Sequence, residues 1–206
     1  GRPDNDLVLY QLSRAYAIES QVDEAQQIMD RLVRAYPQSR YIDEVQFRRG
    51  EYLFVAGQYV QAEQAYAVVV NDHVDSIFYE KSLYKLGWSQ FKQSQNREAI
   101  ASYIKLLDRK QQQQMLDEVK LADNLARTEQ ELIEDVLRVT SLAFSYLPDR
   151  EPIAQYFNRA GQRPYEPLLY QKLAELYLGK PDASRPNVVI PLFSLLLVSA
   201  CRCTDT

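Results

Sequence analysis

A period of 37 residues constrains the fold of this chain more than any other feature of its sequence. Three segments align without gaps when they begin at Asp6, Asp43 and Glu80. In each copy a small residue stands at the eighth position, alanine at the twentieth, and a large apolar or aromatic residue at the twenty-fourth. A fixed period of this length predicts an array of stacked supersecondary units, each of which buries its apolar face against its neighbours.

The sequence of each 37-residue unit predicts two amphipathic helices joined by a short turn. The segment AGQYVQAEQAY, residues 56–66, contains the turn of the second unit, where Gly57 can adopt the left-handed backbone conformation that ends a helix. Either Ser20 or Asp23 is the predicted cap of the second helix in the first unit, and Asn96 is the predicted cap in the third.

The small residues of each unit predict where its two helices touch. Antiparallel helices approach closely only where one side of the contact lacks bulk, so we expect the residue at position eight to face the alanine at position twenty. The predicted pairs are Ser13 with Ala25, Gly50 with Ala62, and Gly87 with Ala99.

The pattern resembles the tetratricopeptide repeat, and YKLGWSQFKQSQNREAIASYIKLL, residues 84–107, is the best match to it. The resemblance implies an all-α fold: an α-solenoid of helix hairpins wound into a right-handed superhelix, followed by an irregular C-terminal helical segment. The period of 37, against about 34 in the usual repeat, is similar to that of bacterial envelope proteins such as the outer-membrane assembly lipoproteins and the Tol-Pal coordinator. That similarity implies a place in the periplasm or at the periplasmic face of the outer membrane, with the cytoplasm as the alternative, and membership of a longer protein is expected.

The sequence predicts three segments. Residues 1–113 hold the three clear units, and residues 114–180 are predicted to continue the solenoid as degenerate helical repeats. Residues 181–206 form an atypical apolar tail, which is too short and too interrupted by Pro191 to span a membrane. Three interpretations of the tail stay open: a cap on the last helix, a homodimer contact through residues 188–200, or a segment foreign to the repeat array.

Composition and residue types point away from catalysis. The formal charge of −4 argues against binding to nucleic acid, which requires a basic surface. His73 is the single histidine, which removes most serine or cysteine nucleophile schemes because these require a histidine base. Asp72 and Asp75 stand beside it, but a metal site needs several convergent ligands, so a solvated histidine in a turn is the expected interpretation. The two cysteines, Cys201 and Cys203, do not make a metal site by themselves. We therefore predict no enzyme activity, no metal and no cofactor, and a protein or peptide as the partner.

Helix geometry predicts where that partner binds. Positions five, nine and twelve of each first helix share a stripe, about 100° from the stripe that packs inside the unit. In tetratricopeptide arrays this stripe lines a concave groove that binds peptides, and positions two and six flank it. The predicted groove residues are Tyr10, Arg14, Phe47, Arg48, Phe54, Lys81, Tyr84, Lys85, Trp88 and Phe91.

Two qualifications of this groove follow from the same residues. The family's clamp for a C-terminal carboxylate is matched only by Lys81 and Lys85, and the first two units depart from it at Tyr10, Arg14 and Glu51. An aromatic stripe at helical spacing is also typical of a packed core. The alternative function is therefore a structural or oligomerisation domain, with a filled groove and a homodimer contact through the tail.

Overall fold

The computed structural model describes residues 5–113, 116, 127–147 and 153–178. Within these ranges the chain forms helices and no strands, which confirms the all-α solenoid class. The helices are α1 (Asn5–Ile18), α2 (Val22–Ala35), α3 (Ile42–Val55), α4 (Tyr59–Asp72), α5 (Tyr79–Lys92), α6 (Asn96–Gln112), α7 (Arg127–Ser145), α8 (Ile153–Ala160) and α9 (Glu166–Leu178). The chain divides into two compact units, the first unit (Gly1–Leu106) and the second unit (Leu107–Thr206), and the boundary falls within α6, whose last residues belong to the second unit.

The period of 37 is visible in the helix boundaries of the first unit. Helices α1, α3 and α5 begin 37 residues apart, and so do α2, α4 and α6. Each helix from α1 to α4 packs against the next one along the chain. The first unit is thus a row of helix hairpins, in which α1, α3 and α5 are the first helices and α2, α4 and α6 are the second.

The turn within each hairpin is built on one left-handed residue. Ser20, Gly57 and Ser94 occupy the same position of the period and have φ angles of 59°, 75° and 63°. In the second hairpin the next amide, that of Gln58, donates to the carbonyl of Leu53 at 2.9 Å, as expected for a helix that ends on a left-handed residue. The conformation predicted for Gly57 is confirmed, and the structure adds that two serines adopt it as well.

The predicted helix caps were wrong. Helix α2 is capped at Gln21, whose side chain makes no capping hydrogen bond. The carbonyl of Gln95 accepts from the amide of Ala99 at 3.0 Å, so Asn96 lies inside α6. Because Ser20 is committed to the left-handed turn, the cap falls one residue later, on the glutamine that follows the turn in every hairpin.

Replacing Ser94 by glycine is expected to stabilise the protein. The left-handed conformation destabilises a residue with a Cβ by about 1–2 kcal/mol, and glycine avoids this cost in the folded state. Glycine also has more conformational freedom in the unfolded chain, which offsets about half of the gain. The expected net gain is about 0.5–1 kcal/mol, measured as the shift in the urea midpoint. Gly57→Ser should lower stability by a similar amount; a destabilised Ser94→Gly variant would contradict the assignment of the turn.

In the second and third hairpins, the closest neighbour of the glycine at position eight is a tyrosine ring. A Cβ built on Gly50 would lie 2.5 Å from Cε1 of Tyr66, and a Cβ on Gly87 would overlap the ring of Tyr103 in the same way. The small residue at position eight therefore accommodates the ring at position twenty-four. In these two hairpins the nearest atoms belong to the ring and not to the alanine predicted to face the glycine, and Ala25, Ala62 and Ala99 are all fully buried.

The first hairpin has different residues at positions eight and twenty-four. Ser13, which carries a Cβ, stands at position eight, and Met29, which is 2% exposed, stands at position twenty-four; both line the same cleft. A flexible thioether can bend around the serine where a rigid phenol ring could not. The residue pairs at these positions are therefore matched in size across the three hairpins.

Successive hairpins are joined by turns of a single design. Ser39 donates its hydroxyl to Asp6 at 2.7 Å, and Ser76 donates to Asp43 at 2.6 Å, 37 residues later. Each bond ties the turn after a second helix to the start of the first helix of the same hairpin. The hydrogen bond from Ser39 holds the pKa of Asp6 below its usual range, so the carboxylate form is the one that the fold favours.

The second unit has a polar centre at the end of α6. Asp108 accepts from Nε of Arg163 at 2.7 Å, from Nη2 of the same guanidinium at 3.2 Å, and from the hydroxyl of Tyr165 at 2.6 Å. Lys110, which is 2% exposed, pairs with Glu129 at 2.6 Å. These bonds connect α6 to α7 and to the start of α9.

Two predictions about the C-terminal part concern residues outside the described ranges. Neither the tail at residues 181–206 nor its proposed dimer contact at residues 188–200 is described by the structure. Among the helices that are described, none is both long enough and apolar enough to cross a membrane.

Candidate protein-binding face

The ten predicted groove residues all lie on α1, α3 and α5, and we call this surface the first-helix face. Side-chain bonds link the three helices directly. The hydroxyl of Tyr10 on α1 donates to Glu44 on α3 at 2.7 Å, and Lys85 on α5 pairs with Glu51 on α3 at 3.3 Å. The three helices therefore form one continuous layer on which neighbouring hairpins share contacts.

Two of the predicted residues lie where hairpins join. Tyr10 is 6% exposed, and its ring stacks on Tyr41 with centroids 4.3 Å apart and planes 5° apart. Phe47 stacks on Phe78 at 5.1 Å, in the equivalent place one period later. Both rings thus hold the turn between hairpins against a first helix, and the buried ring of Tyr10 offers a partner little surface.

Three aromatic residues of α5 are more accessible than Tyr10. Tyr84, Trp88 and Phe91 are each half-buried, and Trp88 packs edge to face against both neighbours, at centroid distances of 6.4 and 5.8 Å. Residues three and four apart on a helix lie on the same side of it, so the three rings form a ladder along α5. Edge-to-face packing fixes the orientation of each ring before any partner arrives.

Phe54 of α3 contacts one of the predicted basic side chains, that of Lys85. Its ring packs edge to face against Tyr59 at 5.3 Å, and Nζ of Lys85 lies 5.1 Å from its centroid. Lys85 is therefore held twice, by the ring of Phe54 and by the carboxylate of Glu51. A cation that is already paired in this way contributes less to the binding of a partner's carboxylate than an unpaired cation does.

Glu51 is held on its other side by the core. The hydroxyl of Tyr66 donates to it at 2.5 Å. Burial, and then the hydrogen bond to Glu51, raise the pKa of Tyr66, so the phenol remains a donor at neutral pH. Glu51 thus connects the surface cation Lys85 to the tyrosine that fills the space above Gly50.

A different arrangement lies between α1 and α3. Arg14 and Arg48 line one cleft of about 290 Å³, together with Ala17, Met29 and Tyr52. Arg14 is exposed, and its guanidinium donates to the hydroxyl of Tyr10 at 3.2 Å. Lys81, the remaining cation of the predicted set, is exposed on α5.

The predicted groove left out the acidic residues that organise the face, although Glu51 was noted as a departure from the family's clamp. Glu44 accepts from both Tyr10 and Arg48, and Glu51 accepts from both Tyr66 and Lys85. Their position on the first helices was visible in the repeat alignment. A signal that could have identified them is the change of charge sign at one position of the period, from Arg14 to Glu51.

The described residues hold no group of three or more potential metal ligands. His73 lies half-buried at the end of α4, where its amide donates to the carbonyl of Val69 at 3.1 Å. It takes part in the turn between two hairpins.

A match to a known protein family agrees with the geometry of the hairpins. Residues 7–39 and 81–109 match the family model of the tetratricopeptide repeat. The search of curated proteins gives no match. Among solved structures, the chain is similar to the flexible tandem repeat domain of a bacterial cellulose synthase subunit, with 18% identity, a TM-score of 0.36, and coverage of 98% of this chain and 94% of the other. The predicted resemblance to tetratricopeptide repeats is therefore confirmed for the two matching segments, and repeats of this family are typically non-enzymatic modules that mediate protein–protein interaction.

Proposed function

We propose that this chain is a non-enzymatic scaffold that binds an extended segment of another protein on the first-helix face. The observation that carries the proposal is the ladder of Tyr84, Trp88 and Phe91, half-buried side by side on α5. Tyrosine and tryptophan are among the residues that contribute most to binding when a partner buries them.

The packing of the ladder orders its rings before a partner binds. Trp88 is fixed between two rings, so ordering its side chain costs little entropy when a partner docks. The adjacent Phe54 and Lys85 extend the same surface onto α3. A partner with apolar side chains at regular spacing can therefore bury several prearranged rings at once.

A selection from a displayed library of random 12-residue peptides tests the proposal. Selected peptides are synthesised and titrated into the protein while the emission of Trp88, its single tryptophan, is followed. We expect saturable changes in emission, and a loss of affinity of about 1–3 kcal/mol in a Tyr84→Ala/Phe91→Ala variant.

The matched control is Tyr146→Ala on the second unit, where the ring is 57% exposed. This variant should bind the selected peptides as the unchanged protein does. Peptides that bind the ladder variant and the control equally well, or that leave Trp88 emission unchanged at saturation, would argue against the ladder as the binding surface.

The bacterial envelope location belongs to the proposal as well, and its support is the period of 37 residues that the helix boundaries repeat. Membership of a larger envelope protein goes with it. Cell fractionation followed by immunodetection should place the protein in the periplasm or at the outer membrane, and recovery in the cytoplasm alone would rule this part out.

A further inference from the structure

The cleft between α1 and α3 has an unbalanced charge. Its lining contains two guanidinium groups, those of Arg14 and Arg48, and no carboxylate. The nearest acidic partner is Glu44, which pairs with Arg48 at 2.7 Å and also accepts from the hydroxyl of Tyr10. Within the described residues Arg14 makes no ion pair: its guanidinium contacts the hydroxyl and ring of Tyr10. Glu44 therefore neutralises Arg48, and Arg14 has no carboxylate partner in the part of the chain that the structure describes.

The next junction of the same array shows what a balanced arrangement looks like. One period on, Glu51 occupies the position of Arg14, and Lys85 occupies the position of Arg48. Glu51 and Lys85 form an ion pair at 3.3 Å. At the first junction, two like charges thus stand where the second junction has an internal ion pair, and Arg14 has no carboxylate among the described residues as its partner.

The floor of the cleft is apolar. Ala17 of α1, Met29 of α2 and Tyr52 of α3 contribute to it, with Met29 2% exposed. A cleft with an apolar floor and two guanidinium groups suits a short segment in which an acidic side chain stands beside an apolar one. Guanidinium groups bind carboxylates through paired, charge-assisted hydrogen bonds, which are stronger than neutral ones.

We propose that this cleft binds an acidic residue of the partner protein, with the carboxylate between Arg14 and Arg48 and a neighbouring apolar side chain on the floor. The inference rests on the proposed function and adds the charge of the partner segment. It also separates the predicted cations: Lys85 is paired with Glu51 and Arg48 with Glu44, whereas Arg14 forms no ion pair within the described residues.

The test uses the displayed random 12-residue peptides on the complete chain, on an Arg14→Gln/Arg48→Gln variant, and on Arg31→Gln/Arg34→Gln as the matched control. The control pair is exposed on α2, outside the cleft lining, and its replacement removes the same charge. We expect selected peptides to carry aspartate or glutamate beside an apolar residue. Their affinity should fall about tenfold in the cleft variant and less than about twofold in the control, as for charge-assisted bonds at a partly exposed site.

A double-mutant cycle across the complex makes the assignment specific. Changing the acidic residue of a selected peptide to its amide should lower its affinity for the unchanged protein by the same factor of about ten. The same change should not lower its affinity for the cleft variant any further. Additive losses would overturn the inference, as would selected peptides without acidic residues that bind through the ladder of α5; the proposed function would survive both results. If no peptide is enriched, the proposed function fails, and the inference fails with it.

Discussion

Gly87→Ala is expected to destabilise the protein by about 2–3 kcal/mol, because the new methyl group has no room. Its Cβ would overlap the ring of Tyr103, which is fully buried and rigid. Either the ring or the α5 backbone must move, and each movement disturbs neighbours that are packed at the density of a crystal. Urea denaturation followed by far-ultraviolet circular dichroism measures the loss, and Lys92→Ala at an exposed position of α5 controls for the alanine itself.

The same packing predicts a rescue. The first hairpin accommodates Ser13 opposite Met29, so a Tyr103→Met change should make room in the third hairpin for the methyl group that Gly87→Ala introduces. We expect Gly87→Ala to cost at least about 1 kcal/mol less in the Tyr103→Met background than alone. If the effects of the two substitutions on the free energy of unfolding are additive, the contact between positions eight and twenty-four does not explain why position 87 is a glycine.

Asp108→Ala is expected to destabilise the second unit by about 2–3 kcal/mol. It leaves the guanidinium of Arg163 and the hydroxyl of Tyr165 without the oxygens that now accept from them, and Tyr165 is 1% exposed. The value is below that of a fully buried ion pair, because Asp108 and Arg163 are each 30% exposed. Glu131→Ala breaks the solvent-exposed pair with Arg127 and should cost less than about 0.5 kcal/mol.

Amide hydrogen exchange locates the effect of Asp108→Ala. Faster exchange is expected in α8 and α9, while α3 and α4, which belong to the first unit, should keep their protection. Tyr165→Phe, which removes the hydroxyl and keeps the ring, should give a smaller change of about 1 kcal/mol in the same helices. Exchange that rises equally in α3 and α9 would show that the two units do not unfold separately.

The repeated pattern, together with the family resemblance that it supports, carried the prediction of the fold. Three copies in one register located the hairpins and the left-handed turn at Gly57, because a repeated pattern averages out the ambiguity of any single helix. It could not decide whether Ala99 or Tyr103 meets Gly87, since these residues lie one turn apart on the same side of α6. That choice depends on how far the two helices slide along each other, which no sequence pattern specifies.

The candidate face was predicted in outline and not in its detail. Helical geometry grouped Tyr84, Trp88 and Phe91 on one side of α5, where the structure has them in contact. It placed Tyr10 on the same stripe without anticipating the stacking with Tyr41, because the path of the turn between hairpins has no helical period. The pairing of Lys85 likewise depends on a contact with a residue of another helix, 34 residues away in the chain.

Binding of a partner segment on the first-helix face is the central claim, and amide chemical-shift mapping tests it most directly. The ¹⁵N-labelled chain is titrated with one peptide from the displayed library, and the residues whose amide signals move are assigned. We expect the largest shifts on α1, α3 and α5, around Arg14, Arg48 and Trp88. Shifts that cluster on α2 and α4, or in the second unit, would contradict the claim.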